Sequence, residues 1–439
     1  MKLLIYSPQI TPRINYIFDF IFTELLGVSF SVTDNLDVFT KSTVLKIQYA
    51  TNYNSIPNCL FLKANNLLFE SDIKNQNINV FDWQQTKTFF KTDEQSFIPF
   101  DIFAASFYLL SRYEEYLAFK PDKFGRFAAK ESLAYKQGFI KQPIIDVWAE
   151  YLKTELLKHN PKLKFKERKF QFVSTIDIDN AYAYLHKGFL RSFLSSVKLL
   201  LRFKWKEFTK KTKVHLKKSK DPYDTYQFIE KIHLKYSVKA VCFFLTAKYA
   251  KNDKNISPDN KYFKSLVNYV STNSEIGIHP SYSSNKNKKL VKLEKQKLEN
   301  LLGKRITKSR QHFLILKFPE TYQNLIRSGI KEDYSMGYVS IPGFRAGTCT
   351  PFYFFDLKLN KSENLKITPF ALMDVGLKQY NNLDAVAATK EIEKIIKNVK
   401  KVKGLFVSLW HNESLGNTES WKNWKTTYEQ MIQFAKNGN

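Results

Sequence analysis

From residue 170 onward the chain alternates short apolar runs with amphipathic segments. That alternation constrains the fold more than any other feature of the sequence. The runs at 170–176, 238–246, 275–278, 306–314 and 404–409 read as strands, bounded by polar or turn-forming residues. The intervening stretches at 260–274, 288–302, 321–328 and 385–399 carry helical spacing, and Gly329 stands where a helix would stop. Strands that alternate with helices imply a mainly parallel sheet or barrel. In such folds the chemistry collects at the carboxyl ends of the strands. Asp177, Asp179, His279, His312 and His411 all fall at or near expected strand ends. Five unrelated core positions would not sort themselves that way.

Residues 1–160 read as a separate, smaller α/β unit. Strands are expected at 3–6, 44–47 and 59–62, and a helix at 14–26. A long apolar helix is expected over 99–117, with Arg112, Glu114 and Glu115 as its charged end. No chemical constellation stands out in this half. A polar, basic joint near 160–168 separates it from a second unit, 168–439.

Charge narrows the function classes. The 439 residues hold 69 Lys and Arg against 41 Asp and Glu, a net +28, yet only 10 of the basic residues are Arg. Proteins that grip nucleic acid lean on the planar guanidinium fork, so a Lys-heavy, Arg-poor chain is not expected to bind nucleic acid. Residues 186–220 concentrate the charge, with twelve Lys and Arg against the single acid Glu207. Phe189, Phe193, Val197, Leu200, Leu201 and Phe208 recur there at helical spacing, with Trp205 beside them. That pattern suits a basic amphipathic helix on an anionic membrane surface, and equally a helix packed on the sheet with a solvated basic face. Cys59, Cys242 and Cys349 fit neither a disulfide framework nor a cysteine zinc site, so a reducing compartment is expected. The first residues lack a signal peptide's apolar core, and no window of ~18 residues is apolar throughout. The expected location is the cytoplasm, with peripheral attachment to the inner face of the membrane if 186–220 docks there.

Several residues cluster by spacing. Asp177 and Asp179 stand at i and i+2, so both point to one side of a strand and repel unless a cation or an Arg compensates. His279 lies in GIHPSYSS, directly after a strand. Arg310 and His312 share SRQHFL, again at i and i+2. Arg345 sits in the glycine-containing loop PGFRAGTCTP, where backbone can approach a ligand closely. His411 lies in SLWHNES, just past the last strand. Together these supply a metal site, a base and an acid.

The order Thr-x-Asp-x-Asp, then His-Pro-Ser, then Arg-bearing segments, then Leu-x-His resembles the polysaccharide deacetylase family with its NodB-type homology domain. It is most similar to a bacterial surface-polysaccharide or lipopolysaccharide subgroup with an extra N-terminal domain of unknown function. DKFGRFAAKE (122–131) is similar to part of that companion domain. The resemblance covers about 168–415. It implies a distorted (β/α) barrel, preceded by the smaller α/β domain, that uses a divalent metal, often zinc, to remove an N-acetyl or sometimes O-acetyl group from a sugar. The sugar would be lipid-linked or nucleotide-linked. By the resemblance Asp177 is the general base, Asp179 and His279 are metal ligands, and His411 is the general acid.

Two positions depart from the family pattern. The second motif usually carries another His where this chain has Ser283, so His312 is the candidate third ligand, with Ser283 holding a water. Two arginines compete to orient the base: Arg310, by its place in the layout, and Arg345, slightly favoured for its local sequence. Asp374 and Asp333 are both open as carboxylate partners of His411. Two other classes stand beside this reading, a carbohydrate-binding barrel that has lost activity and a nucleic-acid binder suggested by charge alone.

Overall fold

The computed structural model describes residues 3–416 and 418–437; residues 1–2 and 438–439, the outer ends of the two expected units, lie outside the described residues. The N-terminal part is built on four parallel strands, β1 (Leu3–Tyr6), β2 (Phe30–Thr33), β3 (Lys46–Ala50) and β4 (Cys59–Lys63), in the order β2-β1-β3-β4. An antiparallel hairpin follows, β5 (Phe81–Trp83) and β6 (Thr86–Thr88). The helix Pro12–Phe18 starts because Thr11 accepts the Ile14 N–H and Pro12 needs no donor partner in the first turn. The expected helix over 99–117 is shorter, Ile102–Leu110. Asp101 caps it by accepting the N–H groups of Phe103 and Ala104, and it is over before Arg112 adopts a left-handed φ of 56°.

The remainder forms a nine-stranded sheet: β7 (Gln171–Ile178), β8 (Lys239–Phe244), β9 (Glu275–Ile278), β10 (Lys308–Ser309), β11 (Glu332–Asp333), β12 (Phe352–Asp356), β13 (Lys361–Ile367), β14 (Leu372–Met373) and β15 (Leu405–His411). Their order is β12-β13-β11-β10-β9-β8-β7-β15-β14, parallel except for β12 against β13. Hydrogen bonding does not close the sheet into the complete ring that a barrel would have. β13 and β14 are nevertheless successive segments of one run of chain. The first pairs with β11 and the second with β15, so this run crosses from one end of the sheet to the other.

Period-two alternation gives the sheet two apolar faces. Val241, Phe243, Val407 and Leu409 form an inner cluster with Tyr334, Phe370 and Met373. Ile176, Ile178, Cys242, Phe244, Phe406 and Trp410 face an outer core beneath the helices. The outer core is continuous with that of the N-terminal part, so buried residues from both halves form one cluster.

The loop around Arg345 is the seam between the halves. Arg345 donates from Nε and Nη2 to the two carboxylate oxygens of Glu115, at 2.8 and 2.5 Å. Arg112 Nε shares Glu115 at 2.8 Å, and Arg112 Nη2 holds Glu114 at 2.8 Å. Gly343 and Gly347 are needed because the N-terminal part presses on them. A Cβ on Gly343 would lie 2.5 Å from the Ile140 carbonyl oxygen, and Gly347, at φ +69°, faces Leu109. Asp146 completes the seam by accepting from the Thr348 and Thr350 hydroxyls, each at 2.6 Å. The close backbone approach expected here is therefore made by protein rather than by a ligand.

All three cysteines are free, and no helix among the described residues is long and apolar enough to cross a membrane.

Burial alone would raise the Glu115 carboxyl, but Arg345 and Arg112 hold it below its ordinary value. Its stabilisation is therefore present above the unfolded carboxylate pKa and is lost as the pH falls through the lower folded value. Glu115→Ala strands the buried Arg345 guanidinium and leaves Arg112 with Glu114 alone, and chemical denaturation at neutral pH is expected to show a loss of ~3–5 kcal/mol. The gap between wild type and variant should narrow below about pH 4.

Candidate metal and proton-transfer site

β7 presents Thr175 and Asp177 to the inside of the sheet, and Asp179 follows directly after its end. The parallel register sets Asp177 level with His411 of β15 on one side and Phe243 of β8 on the other. His279 and Arg310 follow β9 and β10, which pair at Ile278 and Ser309. The expected strand over 306–314 is paired only at Lys308–Ser309. It then turns through left-handed residues, Phe313 at φ 62° and Leu314 at φ 53°. Arg310 and His312 thus reach the same interior from a turn rather than from one face of a strand.

Asp179, His279 and His312 converge, with one ligand atom from each lying within 4.8 Å of the others. His279 Nε2 is 3.0 Å from Asp179 Oδ1, and His312 Nε2 is 3.3 Å from Asp179 Oδ2. His279 Nδ1 lies 2.6 Å from the Arg310 carbonyl oxygen, which can only accept, so Nδ1 carries the proton. His312 Nδ1 is committed in the same way to Asp253, at 3.0 Å. In neutral rings both Nε2 atoms are then lone pairs aimed at a carboxylate. Asp179 Oδ1 is buried with no hydrogen-bond partner. Converging acceptors of this kind need a cation between them, and a carboxylate with two imidazoles suits a divalent metal such as zinc. Without one, protons take that part. Burial would raise Asp179, but His312 and His279 hold it well below the usual carboxylate range. Burial would lower His312, but Asp179 and Asp253 push it up to about 9.

The geometry places the side chains named in three alternatives that the sequence leaves open. The Ser283 hydroxyl donates to Asp253 Oδ2 at 2.7 Å, and it is His312 that stands at the cluster with Asp179 and His279. Among the described ion pairs, the guanidinium on Asp177 is that of Arg310, at 3.0 Å from Nη1 to Oδ1, which corrects the preference for Arg345. Local similarity around Arg345 could not reveal that Glu115, 230 positions away in the chain, would claim it. The partner of His411 is Asp374. It binds Nδ1 at 2.8 Å and accepts the His411 backbone N–H, whereas Asp333 is occupied by Ser309 and Ser335.

Arg310 is fully buried. It bonds Thr175 Oγ1 at 2.6 Å and the Tyr334 carbonyl at 2.9 Å, and its guanidinium lies 4.8 Å from the Phe243 ring centroid. His411 Nε2 is turned toward Asp179, 3.8 Å from Oδ2. Burial disfavours the charged ring, but Asp374, Asp179 and Asp177 outweigh it and hold His411 well above its ordinary value.

The cluster opens into a cavity of about 310 Å³. Its wall includes Lys123, Phe124 and Arg126 from the N-terminal half, with Tyr380 and Glu413. Arg126 braces that wall by donating to Asp122, to the Phe313 carbonyl and to the Tyr380 hydroxyl, at 2.7, 2.9 and 3.2 Å. Sequence reasoning missed these residues and Asp253.

Residues 3–161 match a Family of unknown function (DUF7033). A search of curated proteins finds no match. Similar solved structures include a protein named as a polysaccharide deacetylase from Mycobacterium smegmatis, at 12% identity and TM-score 0.40, covering 62% of this chain and 86% of that one. A polysaccharide deacetylase from Bacillus cereus is similar at 12% identity and TM-score 0.31, covering 60% and 86%. A 4-alpha-glucanotransferase from Thermococcus litoralis is similar at 12% identity and TM-score 0.37, covering 61% and 37%.

Removing the charge behind a metal-binding imidazole typically costs 10–100-fold in metal affinity. Asp253→Asn is therefore expected to weaken zinc binding by about that factor in competition with a chelating dye. Ser283→Ala should change it only a few-fold, while His312→Ala should abolish stoichiometric binding. Equal losses from Ser283→Ala and His312→Ala would make Ser283 the ligand.

Proposed function

We propose that the protein is a divalent-metal-dependent hydrolase that removes an N-acetyl group from a sugar, or an O-acetyl group by the same chemistry. The observation that carries this reading is the convergence of Asp179, His279 and His312 beside two candidate proton carriers, Asp177 held by Arg310 and His411 held by Asp374. Asp179, His279 and His312 would hold the metal. A bound divalent cation supplies Lewis acidity, polarising an acyl oxygen and lowering the pKa of a coordinated water from 15.7 to ~7. The resemblance of the Asp177-to-Asp179, His279 and His411 motifs to polysaccharide deacetylases supports the same chemistry.

The chain's own groups divide the proton work. Arg310 Nη1 fixes Asp177 Oδ1, which leaves Oδ2 toward His279 Nε2, at 3.8 Å. Asp177 takes a proton from the attacking water at that oxygen. His411 delivers one from Nε2 to the departing amine nitrogen, and Asp374 favours its charged form and keeps its ring oriented through Nδ1. The cavity accepts a sugar-sized group, and Lys123, Phe124 and Tyr380 provide a cation and two aromatic faces to position it. In this reading the substrate is an N-acetylated sugar, lipid-linked or nucleotide-linked, met in the cytoplasm during surface-polysaccharide or lipopolysaccharide assembly.

The test is acetate release from N-acetylated sugars by the zinc-loaded protein. Asp177→Asn and His411→Gln should each lower the rate ~10²–10⁴-fold, as loss of a positioned acid or base does, while zinc content stays stoichiometric. Undiminished rates in both variants overturn the assignment. Stoichiometric zinc without acetate release from any such sugar would favour an inactive carbohydrate-binding protein.

A further inference from the structure

The hairpin formed by the helices Phe189–Leu201 and Trp205–His215 turns much of its apolar surface outward. A surface helix normally turns its apolar face to the protein and its polar face to water. No residue of Phe189–Leu201 is buried. Phe189, Leu190, Phe193, Leu201, Phe203 and Trp205 are each more than half exposed, and Phe189 reaches 87%. The rings of Phe189 and Phe193 stack on one another at 6.3 Å in the open. Polar side chains share the inward packing with the buried Val214. Lys211 of the second helix reaches across to the Ser192 carbonyl and to the hydroxyls of Ser195 and Ser196. Arg191 donates to the carbonyls of Lys254 and Asn255 and lies 4.0 Å from the Tyr249 ring centroid.

We propose that this hairpin docks the protein on an anionic phospholipid bilayer, with the Phe, Leu and Trp side chains entering the interfacial layer and the surrounding lysines and arginines meeting lipid phosphates. Two observations choose that occupant. The segment 186–220 carries twelve basic residues against one acid, so it is complementary to an anionic surface and repels a second copy of itself. Its outward side chains are aromatic and aliphatic, which a bilayer interface accommodates and a nucleic acid backbone does not. A groove of about 700 Å³ beside the hairpin, lined by Lys187, Arg191, Lys198 and Lys204 together with Leu190 and Leu194, offers cations and apolar surface side by side for a lipid headgroup and its first methylenes. Arg191 grips the residues next to Asp253, so the docked face borders the rim of the metal cluster. The docking itself does not depend on the proposed reaction.

The test is co-sedimentation of the full-length protein with vesicles of phosphatidylcholine alone and of phosphatidylcholine mixed with phosphatidylglycerol. The wild type should bind the mixed vesicles preferentially, and raised salt should weaken that binding. The combined variant Phe189→Ser, Phe193→Ser, Phe203→Ser and Trp205→Ser alters only exposed side chains, so its thermal melt and zinc content should match the wild type. Its affinity for the mixed vesicles should fall at least ~10-fold. Equal binding by the variant, no preference of the wild type for anionic vesicles, or capture by duplex DNA in place of vesicles each overturns the proposal. So does a wild-type dimer that the variant dissolves while vesicles bind neither protein. Acetate release from a soluble sugar should be unchanged in the variant, which separates failure of the docking from failure of the proposed reaction.

Discussion

The site depends on one buried guanidinium. Arg310 is withdrawn completely from water, at a desolvation cost of several kcal/mol that only well-placed partners offset. Those partners come from three directions. Its side chain bonds Thr175 and Asp177 on β7 and the carbonyl of Tyr334 just past β11. Its backbone N–H bonds Ile278 at the end of β9, and its carbonyl accepts from His279 Nδ1. One residue therefore orients the carboxylate proposed as the base and also sets the tautomer of an imidazole proposed as a metal ligand. Its place on the inner face, against Phe243 and Phe370, leaves it no solvent to retreat to.

A second layer of charges keeps the cluster in register. Asp253 binds His312 Nδ1 while accepting from Ser283 and from the backbone N–H of Tyr282, so the loop after β8 is tied to the turns after β9 and β10. Asp374 does the same for His411 through the ring, the backbone and the hydroxyl of Ser414. The N-terminal half belongs to this arrangement physically. It shares one apolar core with the rest of the chain, clamps Arg345 through Glu115, and lends Lys123, Phe124 and Arg126 to the cavity wall.

What the sequence revealed followed from local pattern. The apolar runs placed β7, β8, β9 and β15 closely, because period-two burial on both faces of a parallel sheet leaves a strong local signature. The ends of those runs mark Asp177, Asp179, His279 and His411, since a polar side chain at a strand end interrupts the apolar pattern. Partnerships across the fold were not legible. Asp374 and Asp333 look alike in sequence, and only the neighbour across the sheet distinguishes them. Arg345 matched better locally than Arg310, yet ion pairing is decided by what the folded chain brings alongside. Asp253 sits in a Lys- and Asn-rich loop with no spacing to mark it. The run at 306–314 read as a strand although Phe313 and Leu314 turn left-handed, because the pressure on those two residues comes from contacts distant in sequence.

Asp179, His279 and His312 are proposed to form one cation site. A crystal of the zinc-loaded protein, measured on both sides of the zinc absorption edge, tests it directly. A single anomalous peak is expected ~2.0–2.2 Å from a carboxylate oxygen of Asp179 and from Nε2 of both imidazoles, with Asp253 and the Arg310 carbonyl still holding the Nδ1 atoms. A peak elsewhere, or no peak with both Nε2 atoms remaining against the Asp179 carboxylate, would contradict it.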